Sequence, residues 1–409
     1  MKKVLIFSVL LIAGLIGSQL LPPLLGESWG PAAWWIQALT MTALSFIMIH
    51  VGYEFEIDRS NLRAYAVDYG VAATAAAFPW IFCTVWFVFT MHPPAEYWAW
   101  PTWTDSLLAG RFAAPTSAGI LFSMLAAAGL SATWLFRKAR VLAIFDDLDT
   151  VLLMIPLKMV IVGVRWQLAV IVVVMAAMLG MAWRWLRRLQ LPVSWPWVLG
   201  YAVAITVASE AIYVSSKFLD DVVPIHIEVL LPAFVLGCML ARPAGADPHS
   251  DDARDGHQEG PESAQEQQVS TILAAVFMAL VGMSMPRIGG VEAGWGMMTF
   301  HVLALTVLGN LGKMFPLFCY RKEASFRQRL ALCVGMWPRG EVGAGVLVVS
   351  LGYGIGGVMV GAATLSLALN LLLTGIFILI VKRLIAEPEA PAGAIAPPAR
   401  TRMAGGGTP

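Results

Sequence analysis

The chain has 409 residues, 58% of them hydrophobic and 13% charged, with a mean hydropathy of +0.73. Soluble domains carry about 25% charged residues, so this balance points to a lipid bilayer as the chain's surroundings. A net charge of +1 argues against a nucleic-acid partner.

A membrane helix needs about 20 apolar residues. Apolar runs set against polar breaks give twelve such spans: 4–24, 31–56, 64–91, 105–129, 138–163, 166–187, 195–217, 224–242, 269–286, 296–320, 328–351 and 356–383. The first begins after Lys2-Lys3 and continues to Leu24 without a small-x-small cleavage site, which favours a first transmembrane helix (domain 1–30) over a removed signal peptide. Tryptophans flank several spans (Trp34, Trp35, Trp98, Trp100, Trp103, Trp183, Trp185, Trp195, Trp197), as an interfacial belt requires. A polar, acidic stretch at 243–268 separates the eighth span from the ninth and reads as a flexible cytoplasmic linker. It divides a first half, 31–242, from a second, 269–385, and a Pro/Ala/Gly-rich tail at 386–409 reads as disordered. The four cysteines lie in apolar runs with no metal-ligand spacing and are expected to be buried spectators.

Lysine and arginine set the orientation. With a cytoplasmic N-terminus, only Arg165, Lys217 and Arg287 fall outside and Arg111, Lys158, Lys313 and Arg339 within spans, which leaves 20 of the 27 inside. That asymmetry satisfies the positive-inside rule and puts both termini in the cytoplasm. Neither a nucleotide-binding loop nor a nucleophile-base constellation is present, so an enzyme and an ATP-driven pump are not expected.

Ionisable groups inside the hydrocarbon cost about 2.5–3.5 kcal/mol each on insertion scales, so each needs a reason. Asp146 lies 8 residues into the fifth span from Lys138, about 12 Å deep. Lys313 lies 7 residues from the inner end of the tenth span at Tyr320, about 11 Å deep. An acid pair, Asp146-Asp147, and a lysine are thus expected at matching depth on different helices. Two acids against one lysine leave one carboxylate in excess, and that is the natural proton- and cation-binding group; a static ion pair is the alternative. Lys158 is expected to snorkel outward, Asp68 to cap or be solvated at the inner face, and His50 and His226 to be structural. Glu210 and Glu228 stay ambiguous.

Two spans read as broken. The fourth contains Ala114-Pro115-Thr116-Ser117 and the eleventh Pro338-Arg339-Gly340-Glu341. Proline removes a donor and bends a helix, and non-helical backbone at membrane depth survives only beside protein or a water-filled cavity. An odd offset of seven makes the two spans antiparallel. The expected fold is therefore an all-α polytopic membrane protein of about twelve transmembrane helices, with inverted repeats and two crossed discontinuous helices.

These segments resemble the bacterial sodium/proton antiporters of the second cation:proton antiporter family, in the monovalent cation:proton antiporter superfamily. The resemblance rests on PTSAG (Pro115–Gly119), FDDL (Phe145–Leu148), GNLGKMF (Gly309–Phe315) and GMWPRGEVG (Gly335–Gly343), with HVGYEFEID (His50–Asp58) and LPAFVLG (Leu231–Gly237) as further punctuation, and covers about 31–383. It implies secondary active exchange of sodium or lithium for protons in a bacterial plasma membrane, for pH homeostasis, with no cofactor beyond the transported ions. Asp147 would carry the cation or proton, Asp146 would pair with Lys313 and let it go on cation binding, and Thr116 and Ser117 would line the site with oxygen. Pro115, Arg339 and Glu341 would belong to the crossed helices. A homodimer, with a core bundle moving against a dimerisation bundle, is implied too. The acid pair favours electrogenic exchange; a potassium/proton antiporter, or a sensor or channel on the same scaffold, are the alternatives. Asp149 adds a third acid on the fifth span, which the family pattern does not explain.

Overall fold

The computed structural model describes residues 2–54, 62–162, 166–219, 229–241, 264–285, 294–352 and 355–386. The expected disordered tail, the linker up to residue 263, His226 and Glu228 lie outside these. Regular structure among the described residues is helical, apart from one isolated bridge between Leu189 and Leu240.

In chain order the helices are α1 (Lys2–Leu25), α2 (Trp29–Glu54), α3 (Leu62–Met91), α4 (Trp100–Gly110), α5 (Ala118–Ala127), α6 (Trp134–Val162), α7 (Trp166–Arg184) and α8 (Trp195–Leu219). Then follow α9 (Leu230–Met239), α10 (Ala264–Met283), α11 (Trp295–Gly312), α12 (Pro316–Cys319), α13 (Phe326–Gly335), α14 (Glu341–Gly352) and α15 (Gly357–Ala386). Helix α10 starts inside the stretch expected to be linker; its apolar face, from Leu273 to Val281, packs into the core.

Six stretches among the described residues are long and apolar enough to cross a membrane: Lys2–Tyr53, Arg63–Met91, Trp166–Arg184, Trp195–Phe218, Trp295–Cys319 and Gly357–Ala386. The first holds 52 residues in α1 and α2, enough for two passes of about 20 residues each. The other predicted spans depart from an unbroken apolar rod in definite ways. The fourth is split into α4 and α5 and the eleventh into α13 and α14, while α6 carries its charges inside the helix. Large apolar side chains such as Leu5, Trp35, Val173, Val207 and Phe218 stand exposed, which suits a lipid-facing surface.

The helices pack as two groups. In one, α1 lies along α10 and α2 along α9 and α8. In the other, α3 packs on α4, α6 and α11, and α15 on α13 and α11; α1 meets α15 where the groups join. The first group is held by two close crossings of the same form. A Cβ on Gly14 would strike the Ala279 carbonyl and one on Gly282 the Leu11 carbonyl; likewise Gly52 would strike Phe234 and Gly237 would strike Ile49. Backbone approach this close replaces side-chain interdigitation with direct main-chain contact, as small residues allow in membranes. Cys83, Cys238 and Cys333 are buried as expected, whereas Cys319 is exposed.

Candidate functional site

The two interruptions face each other. After Gly110 the chain takes one 3-10 turn, Arg111–Ala113, and resumes as α5 at Ala118. Ser117 caps α5, its Oγ accepting from the Ile120 N–H at 3.3 Å. Opposite it, the chain leaves α13 at Gly335 and re-enters a helix at Glu341. Proline at 115 and 338 withholds a donor at each break, so carbonyls and N–H groups must find partners elsewhere. They find them across the gap. The Ser117 N–H donates to Pro338 O at 3.0 Å, Thr116 Oγ1 to Met336 O at 3.1 Å, and Arg339 Nε to Ala113 O at 2.9 Å.

Helix α6 lays Asp146 against this junction. The Thr116 N–H donates to its Oδ2 at 2.8 Å, and Lys313 Nζ donates to Oδ1 at 2.9 Å and to Oδ2 at 2.8 Å. Both side chains are fully buried. Lys313 caps the C-terminal end of α11, where free carbonyls favour a cation. Asp147 is buried one residue further, about 100° round the helix. Of the residues singled out in the sequence, Asp146, Lys313, Thr116, Ser117 and Arg339 are therefore brought together around the two breaks, with Pro115 at the first. Glu341 begins α14, but its side chain lies outside the described residues, as does that of Lys158.

Other residues of this region were missed in the sequence. Arg339 also donates from Nη1 to Asn310 Oδ1 at 2.7 Å and Asn370 Oδ1 at 3.3 Å, and from Nη2 to Gly309 O at 2.6 Å. Asn370 is a lone amide in an apolar helix, and that rarity was the available signal. Tyr69 donates to Asp149 Oδ1 at 2.7 Å. Asp68, expected to cap or be solvated, is instead buried: Lys138 Nζ lies 3.2 Å from each of its oxygens, and Tyr320 donates to Oδ1 at 2.7 Å. Packing of α3 on α6 closes this site, which linear depth could not reveal. His50 makes a local contact to Phe46 O at 3.0 Å, and Glu210 accepts from Trp34 Nε1 at 3.4 Å. Among the described residues no group of three or more His, Cys, Asp or Glu converges as a metal cage.

A fully buried acid-lysine contact thus lies where the two interrupted helices meet. The family described as "Sodium/hydrogen exchanger, transmembrane" matches residues 2–383. The chain belongs to the sodium/hydrogen exchanger family. Its fold is like that of the sodium proton antiporter MjNhaP1 from Methanocaldococcus jannaschii at pH 8, with a TM-score of 0.55 over 90% of this chain and 91% of that one, at 16% identity. No curated protein matches the chain in sequence. The exchanger is a membrane-embedded cation:proton antiporter of the monovalent cation:proton antiporter superfamily, as the sequence motifs implied.

Proposed function

We propose that this exchanger moves sodium or lithium against protons by competition at Asp147, with Asp146 and the oxygens of Thr116 and Ser117 completing the cation's surroundings. The observation that carries the reading is the fully buried Lys313–Asp146 contact beside Asp147. Oxygen donors suit a hard cation. When the cation binds, Asp146 turns to it and releases Lys313; when it leaves, a proton takes Asp147 and Lys313 returns to Asp146. One carboxylate that holds either ion, but never both, gives obligatory exchange. Two acids beside one lysine favour two protons per cation, and so electrogenic exchange: the second proton is the one Lys313 gives up when Asp146 turns to the cation and takes back when it returns to Asp146.

The same reading takes the chain across a bacterial plasma membrane twelve times, with both termini in the cytoplasm, with α4–α5 and α13–α14 as crossed discontinuous helices. It makes the protein a homodimer in a lipid bilayer that serves pH homeostasis without enzymatic activity or a bound cofactor. Core helices α3–α6 and α11–α15 would rock against the bundle of α1, α2 and α8–α10, where a Cβ on Gly119 would strike the Phe277 ring and crowd Leu44.

Proteoliposomes with a pH-sensitive dye test it, with sodium, lithium and potassium offered with and without clamped voltage. Asp147→Asn should abolish exchange in a protein that still folds. Sodium-driven pH change at the wild-type rate in that variant would overturn the mechanism; potassium as the preferred ion would overturn the cation assignment alone.

A further inference from the structure

Among the buried charged residues that the exchange cycle above leaves unused, two lie beside the acid pair and the first helix break. Asp149 follows Asp147 on α6, and Arg111 stands four residues before Pro115 at the end of α4. Asp149 is 3% exposed and Arg111 is 0% exposed. The guanidinium lies 4.9 Å over the Trp80 ring, which is itself fixed by a 2.7 Å bond from Nε1 to Leu107 O. Its Nη2 reaches the main-chain carbonyl of Asp149 at 3.5 Å, not the carboxylate. Among the described residues, Nε and Nη1 of Arg111 have no hydrogen-bond partner, and neither has Oδ2 of Asp149, whose Oδ1 is held by Tyr69.

A guanidinium has five N–H donors, no acceptor, and stays charged at any pH a cell meets. Burying one with donors unmet is strongly unfavourable unless another arrangement satisfies it. Here unmet donors and an unmet acceptor belong to two residues already joined through one main-chain carbonyl. The connectivity adds direction. On the α5 side of the break, the Thr116 N–H holds Asp146; on the α4 side, Arg111 holds the residue-149 end of the same acidic turn. The two halves of the interrupted helix are therefore tied to different acids of α6, three residues apart. A shift of either half against α6 exchanges these contacts without unfolding either helix.

We propose that Arg111 and Asp149 form a second charge pair of the exchanger, open in the conformation described here and closed in the opposite access state, where the guanidinium leaves the carbonyl for Oδ2. Arg111 and Asp149 are positioning residues: the pair sets where α4 stands relative to Asp147 and so weights the two access states. The inference rests on the antiport reading, and charge rather than titration carries it.

The test uses Arg111→Gln, Asp149→Asn and the double variant of the full chain, each measured for melting temperature in detergent and for exchange in proteoliposomes. Each single variant strands the opposite charge and should lose exchange on the order of tenfold or more, with a lower melting temperature. In the double variant the melting temperature should recover, while the cation half-saturation stays displaced by about fivefold or more, because the weighting of the states is gone. Additive melting losses in the double variant would show that the two are not paired. A double variant with wild-type half-saturation and maximal rate would make the pair a static strut and overturn its role in the cycle. A wild-type protein that moves no cation fails the antiport reading and with it the role in the cycle, while the melting temperatures still decide whether the two residues pair.

Discussion

Lys313 Nζ is shared between both oxygens of Asp146, at 2.9 and 2.8 Å, and the Thr116 N–H adds a third bond to Oδ2 at 2.8 Å. One carboxylate thus joins three elements: α6, the break before α5, and the end of α11. A buried ion pair of this kind is weak evidence for net stability, because desolvation offsets the attraction. It is strong evidence for the cost of removing one partner alone.

Lys313→Ala should lower stability by about 3–5 kcal/mol, since it takes from the buried Asp146 charge the cation that bonds both its oxygens. Melting in detergent measures the loss. A melting temperature equal to wild type at neutral pH would contradict the pairing.

The proposed competition at Asp147 carries a definite dependence on pH. Where the proton dominates, each unit of acidification should raise the sodium half-saturation about tenfold for each proton the cation displaces and leave the maximal rate unchanged, because the proton removes the binding form and saturating sodium restores it. Initial rates across a sodium series at several pH values provide the measurement. A half-saturation that ignores pH would place the two ions on different groups.

The acid pair, its lysine and both helix breaks were legible in the sequence because each violates a bilayer rule: charge, or proline, where apolar helix is the default. Counting residues from a span end sufficed to bring Asp146 and Lys313 to one depth. What a linear reading could not supply was azimuth. Asp68 stood near the inner face by depth, yet the packing of α3 on α6 turns it into a buried partner of Lys138 and Tyr320. Asn310 and Asn370 carry no charge, so the cost of burying an ion did not mark them, and the rarity of an amide in an apolar helix says nothing of its partner Arg339. The number of crossings was harder to read for a related reason: interrupted and charged helices lack the unbroken apolar length that marks Gly357–Ala386.

The inner cluster gives a graded prediction. Lys138 Nζ also lies 3.0 Å from Glu323, but that side chain is 50% exposed while Asp68 is 7% exposed. Glu323→Gln should therefore change stability by no more than about 1 kcal/mol, as for other solvent-screened pairs. Asp68→Asn removes the buried counter-charge of Lys138 and weakens the acceptor of the Tyr320 hydroxyl, and should cost about 2–4 kcal/mol. Equal melting losses for the two variants would argue that burial does not separate them.

Arg339 supports the sharpest test of geometry against charge. Its Nε, Nη1 and Nη2 reach Ala113 O, Asn310 Oδ1 with Asn370 Oδ1, and Gly309 O, so one rigid fork ties both helix breaks to α11 and α15. Among the described residues its acceptors are neutral, so hydrogen-bond direction, not ion pairing, holds it there. Lysine keeps the charge but offers three donors from a single point. Arg339→Lys should strand at least two buried carbonyls and cost about 2–4 kcal/mol. Asn370→Ala, by contrast, removes the longest of these bonds at 3.3 Å and the Nδ2 bond to Ser366 O at 3.1 Å, leaves Nη1 on Asn310, and should cost about 1 kcal/mol. Melting temperatures rank the two, and exchange rates should follow the same order, because the fork fixes the break where Thr116 meets Asp146. Arg339→Lys with wild-type stability and rate would mean that a buried positive charge alone suffices there.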